Sequence, residues 1–168
     1  MVAATLAPDI APLAFPVDQL IELPGNPRRG QVDAVVRSLA AFGQQKPIVV
    51  RRADHVVVAG NHTLAAAREL GWDTLAVSWV DMDDITAKAY ALADNRTADL
   101  GGYDDAALVA MLTDVQMDPE LFGATGFSQD DYDELAGNVA FDPVATTARL
   151  DQRPEVTCPE CGAEFVPE

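Results

Sequence analysis

Cysteine is nearly missing from this sequence: 2 residues in 168, Cys158 and Cys161, both close to its C-terminal end. So few, so placed, exclude a disulfide framework as what holds the fold. No apolar run approaches the roughly 20 residues that cross a bilayer, so no membrane span is expected. Positive charge is scarce as well, with 11 Lys and Arg against 27 Asp and Glu and a net charge of −16. Tight binding to duplex DNA is therefore disfavoured, because that affinity is dominated by phosphate neutralisation. The opening stretch MVAATLAPDIAPLAFP lacks a basic n-region, carries Asp9 and is broken by Pro8, Pro12 and Pro16, which makes it a poor signal peptide. A cytoplasmic location is the default expectation. There is no internal repeat and no low-complexity block.

What is present is ordinary in bulk and uneven in detail. Hydrophobic residues make up 49% and charged residues 23%, as in a soluble globular protein with one domain and at most a small appendage. Residues 1–100 hold 9 Lys and Arg against 12 Asp and Glu, whereas residues 101–168 hold 2 against 15. Within residues 26–52 the balance reverses: Arg28, Arg29, Arg37, Lys46, Arg51 and Arg52 face only Asp33. A solvated face would look like this, and so would an anion site, because clustered arginine suits phosphate recognition.

Along the chain, the extended LAFPVDQLIEL leads into the loop PGNPRRG, where Pro24, Gly25, Pro27 and Gly30 forbid regular structure. In QVDAVVRSLAAFG, Val32, Val35, Val36 and Leu39 fall at helical spacing and Gly43 stops the helix. KPIVVRRADHVVVA predicts two strands joined by a tight turn at Ala53-Asp54. A helix follows Gly60 and ends at Gly71, TLAVSWV is a third strand, and DDITAKAYALADN begins with the acidic residues a helix start prefers. DDAALVAMLTDV places Leu108, Met111, Leu112 and Val115 on one face, and SQDDYDELAG gives a short acidic helix. The hairpin predicts a small mixed α/β domain rather than a doubly wound parallel sheet. The expected division is an N-terminal extension over 1–14, the α/β domain over 15–115 and an acidic helical extension over 116–137. A linker over 138–156 and a CxxC knuckle over 157–168 complete it.

The strand-to-helix turn in HVVVAGNHTLAAARELGW carries more polar chemistry than a turn requires. The first N–H groups of a helix are free and partially positive, and a glycine at the entry lets an anion approach the backbone. Asn61 can cap the helix, while His62 and Thr63 offer side-chain donors. A helix end supplies at most about 1–2 kcal/mol, whereas a micromolar ligand needs about 8 kcal/mol. Arg28 and Arg29 are the obvious additional donors if the fold brings their loop beside the turn. Without them, the turn is a corner in which His62 caps or packs.

The order NPR loop, helix, GQQKPIVV, hairpin, AGNHTLAAARELGW, strand, helix and ALADNRTADL resembles the ParB/sulfiredoxin-like superfamily over residues 15–112. The likeness is to ParB-like nuclease-domain proteins of phages and mobile elements. It implies an α/β fold with C-terminal helices, here ending in an acidic tail, and a phosphate- or nucleotide-binding cleft. Asn26, Arg28, Arg29, Gln45, Lys46, Gly60, Asn61, His62, Thr63, Asn95 and Arg96 would line it. A nucleoside triphosphate, ATP or CTP, with Mg²⁺ is the implied ligand, and His62 and Thr63 are the candidate catalytic pair. The superfamily includes CTP-dependent DNA clamps, ATP-dependent sulfinic acid reductases, free-serine kinases and reported nucleases, so the fold alone does not fix an activity. Asn61 stands where sulfiredoxins carry a reactive cysteine, which removes sulfur chemistry. His62 and Thr63 stand where ParB clamps carry arginine, and 168 residues leave no room for a helix-turn-helix domain and a dimerising tail.

The resemblance thus implies a nucleotide-binding protein of phage or mobile-element DNA metabolism that hydrolyses a triphosphate or cleaves nucleic acid. The alternatives are a non-catalytic nucleotide-sensing adaptor and an acidic interaction factor or DNA mimic. Nucleic acid binding would be weak because of the acidic tail; a protein partner for that tail and a homodimer are further expectations. Glu22, Asp81, Asp83 and Asp84 could hold Mg²⁺ or serve as helix-start charges. Cys158 and Cys161 form half of a zinc ribbon. Zinc wants four ligands, so the metal would be shared across a dimer or with a partner, or the knuckle is a small hairpin without metal.

Overall fold

The computed structural model describes residues 4–140, together with the paired segments Val156–Thr157 and Glu164–Phe165. A five-stranded mixed sheet is built from β1 (Ala14–Pro16), β2 (Ile21–Glu22), β3 (Ile48–Arg51), β4 (Val56–Ala59) and β5 (Thr74–Val80) in the order β1-β5-β3-β4-β2. As the sequence predicts, β3 and β4 form an antiparallel hairpin. β3 runs parallel to β5, with Ile48 beside Val77 and Val50 beside Trp79, and β2 runs parallel to β4. A pair of short edge strands closes the sheet, which limits the backbone open to pairing with another chain.

Alternation along the strands sorts the residues onto two faces. Ile48, Val50, Val57, Leu75 and Val77 join one core with Leu39 of α1 (Val32–Phe42), with Leu64, Ala66 and Ala67 of α2 (Asn61–Glu69), and with Trp72. Val56 and Val58 are also buried, and α3 (Asp84–Asp99) lies against β4. The buried side chains of α3 are Ala87 and Ala91, so this helix approaches the sheet closely while Ile85 and Leu92 stay exposed. Asn95 and Arg96 lie inside α3, which runs on to Asp99, beyond the segment DDITAKAYALADN.

The remaining helices are α4 (Asp105–Val115), α5 (Pro119–Ala124) and α6 (Gln129–Ala140). In α4, Leu112 is buried and Leu108 and Val115 are partly buried, but Met111 is 69% exposed. The inward stripe follows positions i, i+4 and i+7, which turns the i+3 residue outward. Helix α5 was not expected from the sequence, although Asp118 caps it by accepting from the Glu120 and Leu121 N–H groups and Pro119 opens its first turn. It packs on α1, where Arg37 Nε donates to the Gly123 carbonyl at 3.2 Å. The segment before β1 also docks on the domain, since Leu6 bridges to Gln44 and Ala7 N–H donates to the Gln44 carbonyl at 3.0 Å. No helix of the described residues is long and apolar enough to cross a membrane.

Candidate functional site

A cleft of about 380 Å³ opens where the loop after β2, the start of β3, the end of β4, the first turn of α2 and the last turns of α3 meet. Its floor is the strand-to-helix corner. Gly60 sits at φ 97° and ψ 24° and precedes α2, with no side-chain cap on the helix. A left-handed φ favours glycine, and packing demands it: a Cβ at this position would overlap Ile48 Cγ2 and lie 2.9 Å from Ile48 Cβ. The missing side chain therefore makes room for β3. Gly60 also lines the cleft, as expected of the turn, so packing on β3 is a second demand for glycine at this corner.

Asn61 also differs from expectation. It is the first residue of α2, and its side chain caps nothing in that helix. Its Oδ1 accepts the Leu23 N–H at 2.8 Å, and its Nδ2 donates to the Val57 carbonyl at 3.0 Å. One amide thus ties the loop that carries Arg28 to β4 and to the start of α2. The N–H groups of Asn61, His62 and Thr63 have no acceptor within the helix and lie at the cleft. Free N–H groups at a helix start carry partial positive charge, and further charge is needed before such a terminus can hold an anion.

That charge comes from the walls. Asn26, Arg28, Lys46, Gly60, Asn61, His62, Thr63 and Asn95 all line the cleft, so eight of the expected residues converge. An Asx turn shapes the first wall, with the Arg28 N–H donating to Asn26 Oδ1 at 3.1 Å. The same loop approaches α2 so closely that a Cβ on Gly30 would lie 2.6 Å from His62 Cε1. On the opposite wall Asn95 Nδ2 donates to the Ala91 carbonyl at 2.8 Å.

Three expected residues stay outside the cleft lining. Arg29 and Arg96 are exposed and do not line it. Gln45 is exposed too, and its amide donates to the Phe42 carbonyl. The neighbouring Gln44 is the structurally decisive one. It is buried, accepts the Ala76 N–H at 2.7 Å, and donates to the carbonyls of Ala76 at 2.9 Å and Lys46 at 3.0 Å. Those bonds hold the Lys46 backbone against β5.

The candidate metal carboxylates are spent elsewhere. Glu22 pairs with Arg68 at 2.6 Å, Asp81 lies 3.7 Å from Arg52, Asp83 caps α3 through the Thr86 N–H at 2.7 Å, and Asp84 pairs with Arg51. The Thr86 N–H bond holds the Asp83 carboxyl below its usual range. Arg51 lowers the Asp54 carboxyl in the same way, while Asp54 and Asp84 raise the Arg51 guanidinium. None of these carboxylates lines the cleft; Asp94, adjacent to Asn95 and overlooked in the sequence, does. No group of three or more His, Cys, Asp or Glu suited to a metal ion occurs among the described residues. Cys158 and Cys161 lie outside the described residues, between the paired segments Val156–Thr157 and Glu164–Phe165.

Helix terminus, arginine loop and asparagine wall meet in one cleft on a mixed α/β frame. The ParB N-terminal domain family model matches residues 13–96, half of the chain. The chain belongs to that family. Its structure is similar to the C-terminally truncated chromosome-partitioning protein ParB from Caulobacter crescentus complexed with CTP-γ-S. The TM-score is 0.64 at 18% identity, over 82% of this chain and 83% of that one. The same ParB complexed to the centromeric parS site gives a TM-score of 0.44 at 17% identity, over 84% and 79%. Sulfiredoxin from Arabidopsis thaliana gives 0.39 at 21% identity, over 46% of this chain and 92% of that one. No curated protein matches the sequence.

Proposed function

We propose that this protein binds a nucleoside triphosphate in the cleft, with the phosphates on the first turn of α2. The observation that carries the reading is the convergence of that uncapped turn with Arg28, Lys46 and Asn95 on one cavity. The helix end contributes about 1–2 kcal/mol at most. Two or three charge-assisted hydrogen bonds of about 1.5–3 kcal/mol each would bring the total to micromolar affinity. The structural neighbour with CTP-γ-S supports a cytidine triphosphate as the first ligand to test.

Asp94 would hold the Mg²⁺ that accompanies such a ligand, since Mg²⁺ is commonly bound by one or two carboxylates together with substrate phosphates. The ion would neutralise phosphate charge beside that carboxylate. Thr63 and His62 face the phosphates in this reading. His62 packs on Gly30 rather than on an orienting carboxylate, which favours a phosphate donor over an activated general base. Binding is therefore the core of the proposal, and turnover of the nucleotide or nucleic acid cleavage is its extension. The setting we assign is DNA metabolism of a phage or mobile element, with the protein as a nucleotide-dependent component.

Calorimetric titration with ATP, CTP and GTP, with and without Mg²⁺ and with released phosphate measured alongside, tests both parts. One triphosphate should bind in the micromolar range. Arg28→Ala and Lys46→Ala should each weaken it about tenfold or more with an unchanged melting temperature. Absence of binding at millimolar concentration would sink the proposal, and binding without phosphate release would leave the adaptor form.

A further inference from the structure

Arg28 already has an anion. Its Nη1 donates to both oxygens of Asp99, at 2.6 Å and 2.5 Å, across 71 residues of sequence. The arginine lines the cleft and the aspartate does not. Asp99 is the last residue of α3, so this pair links the loop wall to the helix wall at the edge of the site. Both partners are substantially exposed, 37% and 45%, and one nitrogen serves both carboxylate oxygens. That arrangement lacks the two-nitrogen fork that makes arginine–carboxylate pairs strong, and water screens it. Its electrostatic imprint is nonetheless present: Arg28 holds the Asp99 carboxyl below its usual range, and Arg96 adds to the effect.

We infer that Asp99 is an internal counter-anion of the cleft, which occupies Arg28 until a phosphate displaces it and so sets the affinity for nucleotide. The inference rests on the phosphate-binding reading above. The backbone of Arg28 is fixed by Asn26, so the exchange requires only its side chain to turn from the end of α3 towards the α2 terminus. Each binding event then includes the rupture of one exposed ion pair. The pair is weak enough to yield to a polyanion and strong enough to reduce occupancy at low ligand concentration.

A double-mutant cycle separates this competition from simple charge repulsion. CTP binding with Mg²⁺ is measured on the full chain as wild type, Asp99→Asn, Arg28→Ala and the double variant, with folding checked by circular dichroism. Freeing the arginine should raise affinity by up to about fivefold in Asp99→Asn, the scale of an exposed pair. The gain should largely vanish in the Arg28→Ala background, because nothing is left to release. Asp99→Glu should stay close to wild type. Unchanged or weaker binding in Asp99→Asn overturns the inference, since the carboxylate would then be idle or would orient the arginine. An equal gain with and without Arg28 also overturns it, in favour of repulsion at a distance. If none of the four folded proteins binds CTP or ATP, the phosphate-binding reading falls and this inference falls with it. Binding by wild type with no coupling sinks the inference alone.

Discussion

Helices α2 and α3 both border the cleft, α2 at its floor and α3 along one wall, and begin in opposite ways. Helix α3 starts at Asp83, whose side chain accepts the Thr86 N–H. Helix α2 starts at a left-handed glycine with no side-chain cap. Asp104 and Asp118 repeat the α3 solution at α4 and α5. A helix whose first donors are spent on its own cap is locally stable and chemically closed. One whose donors stay free keeps partial positive charge for an outside group. Helix α1 also starts without a side-chain cap, at Gln31, and α6 starts at Ser128, whose hydroxyl accepts the Asp131 N–H; of these starts, the uncapped one of α2 is the one that lines the cleft.

The comparison can be broken most severely at Gly60. Replacement by Ala puts a methyl group into Ile48 at a φ that side chains avoid, and should cost about 2–4 kcal/mol, read as a lowered denaturant midpoint. A neutral outcome would mean that the corner relaxes and that the glycine is dispensable. At α3 the expected effect is smaller. Asp83→Ala should lower the melting temperature by a few degrees and leave nucleotide affinity unchanged, because the lost cap serves only its own helix. A change in affinity would show that the two helix starts are coupled.

The smallest expected effect is a pH dependence. The carboxyls of Asp54, Asp83 and Asp99 lie below their ordinary range in the folded protein. The folded state therefore binds fewer protons than the unfolded one. The stability these groups add is complete above the unfolded carboxylate value, about pH 4, and is lost as pH falls through it towards the folded values. Denaturation midpoints at pH 6 and pH 3.5 should differ more for wild type than for Arg51→Gln, which removes the partner that depresses Asp54.

The elements were legible wherever one segment decides its own structure. Strands β3, β4 and β5, helix α1 and the hairpin follow from local periodicity and turn chemistry, and eight of the eleven expected binding residues meet at the cleft. Illegible positions were those whose partner is remote. Asn61 looked like a cap because caps are local, yet its amide serves Leu23, 38 residues away. Gln44 and Gln45 are identical in type, and only the bridge to Leu6 and the approach of Ala76 bury the first and expose the second. Asp94 and Asp99 sit in the motif ALADNRTADL, but whether an acid faces a cleft or an arginine depends on where the loop of Arg28 lands.

The Asn61 amide has one more consequence. The segment that carries Arg28 has no secondary structure of its own and takes its position from α2 through the bond to Leu23. The link is made at Leu23, five residues before Arg28, so it sets the root of that loop against the start of α2. The amide works as a fastener: it gathers loop root, strand end and helix start at one side chain, and the loop's own Asx turn carries that anchorage on to the arginine backbone.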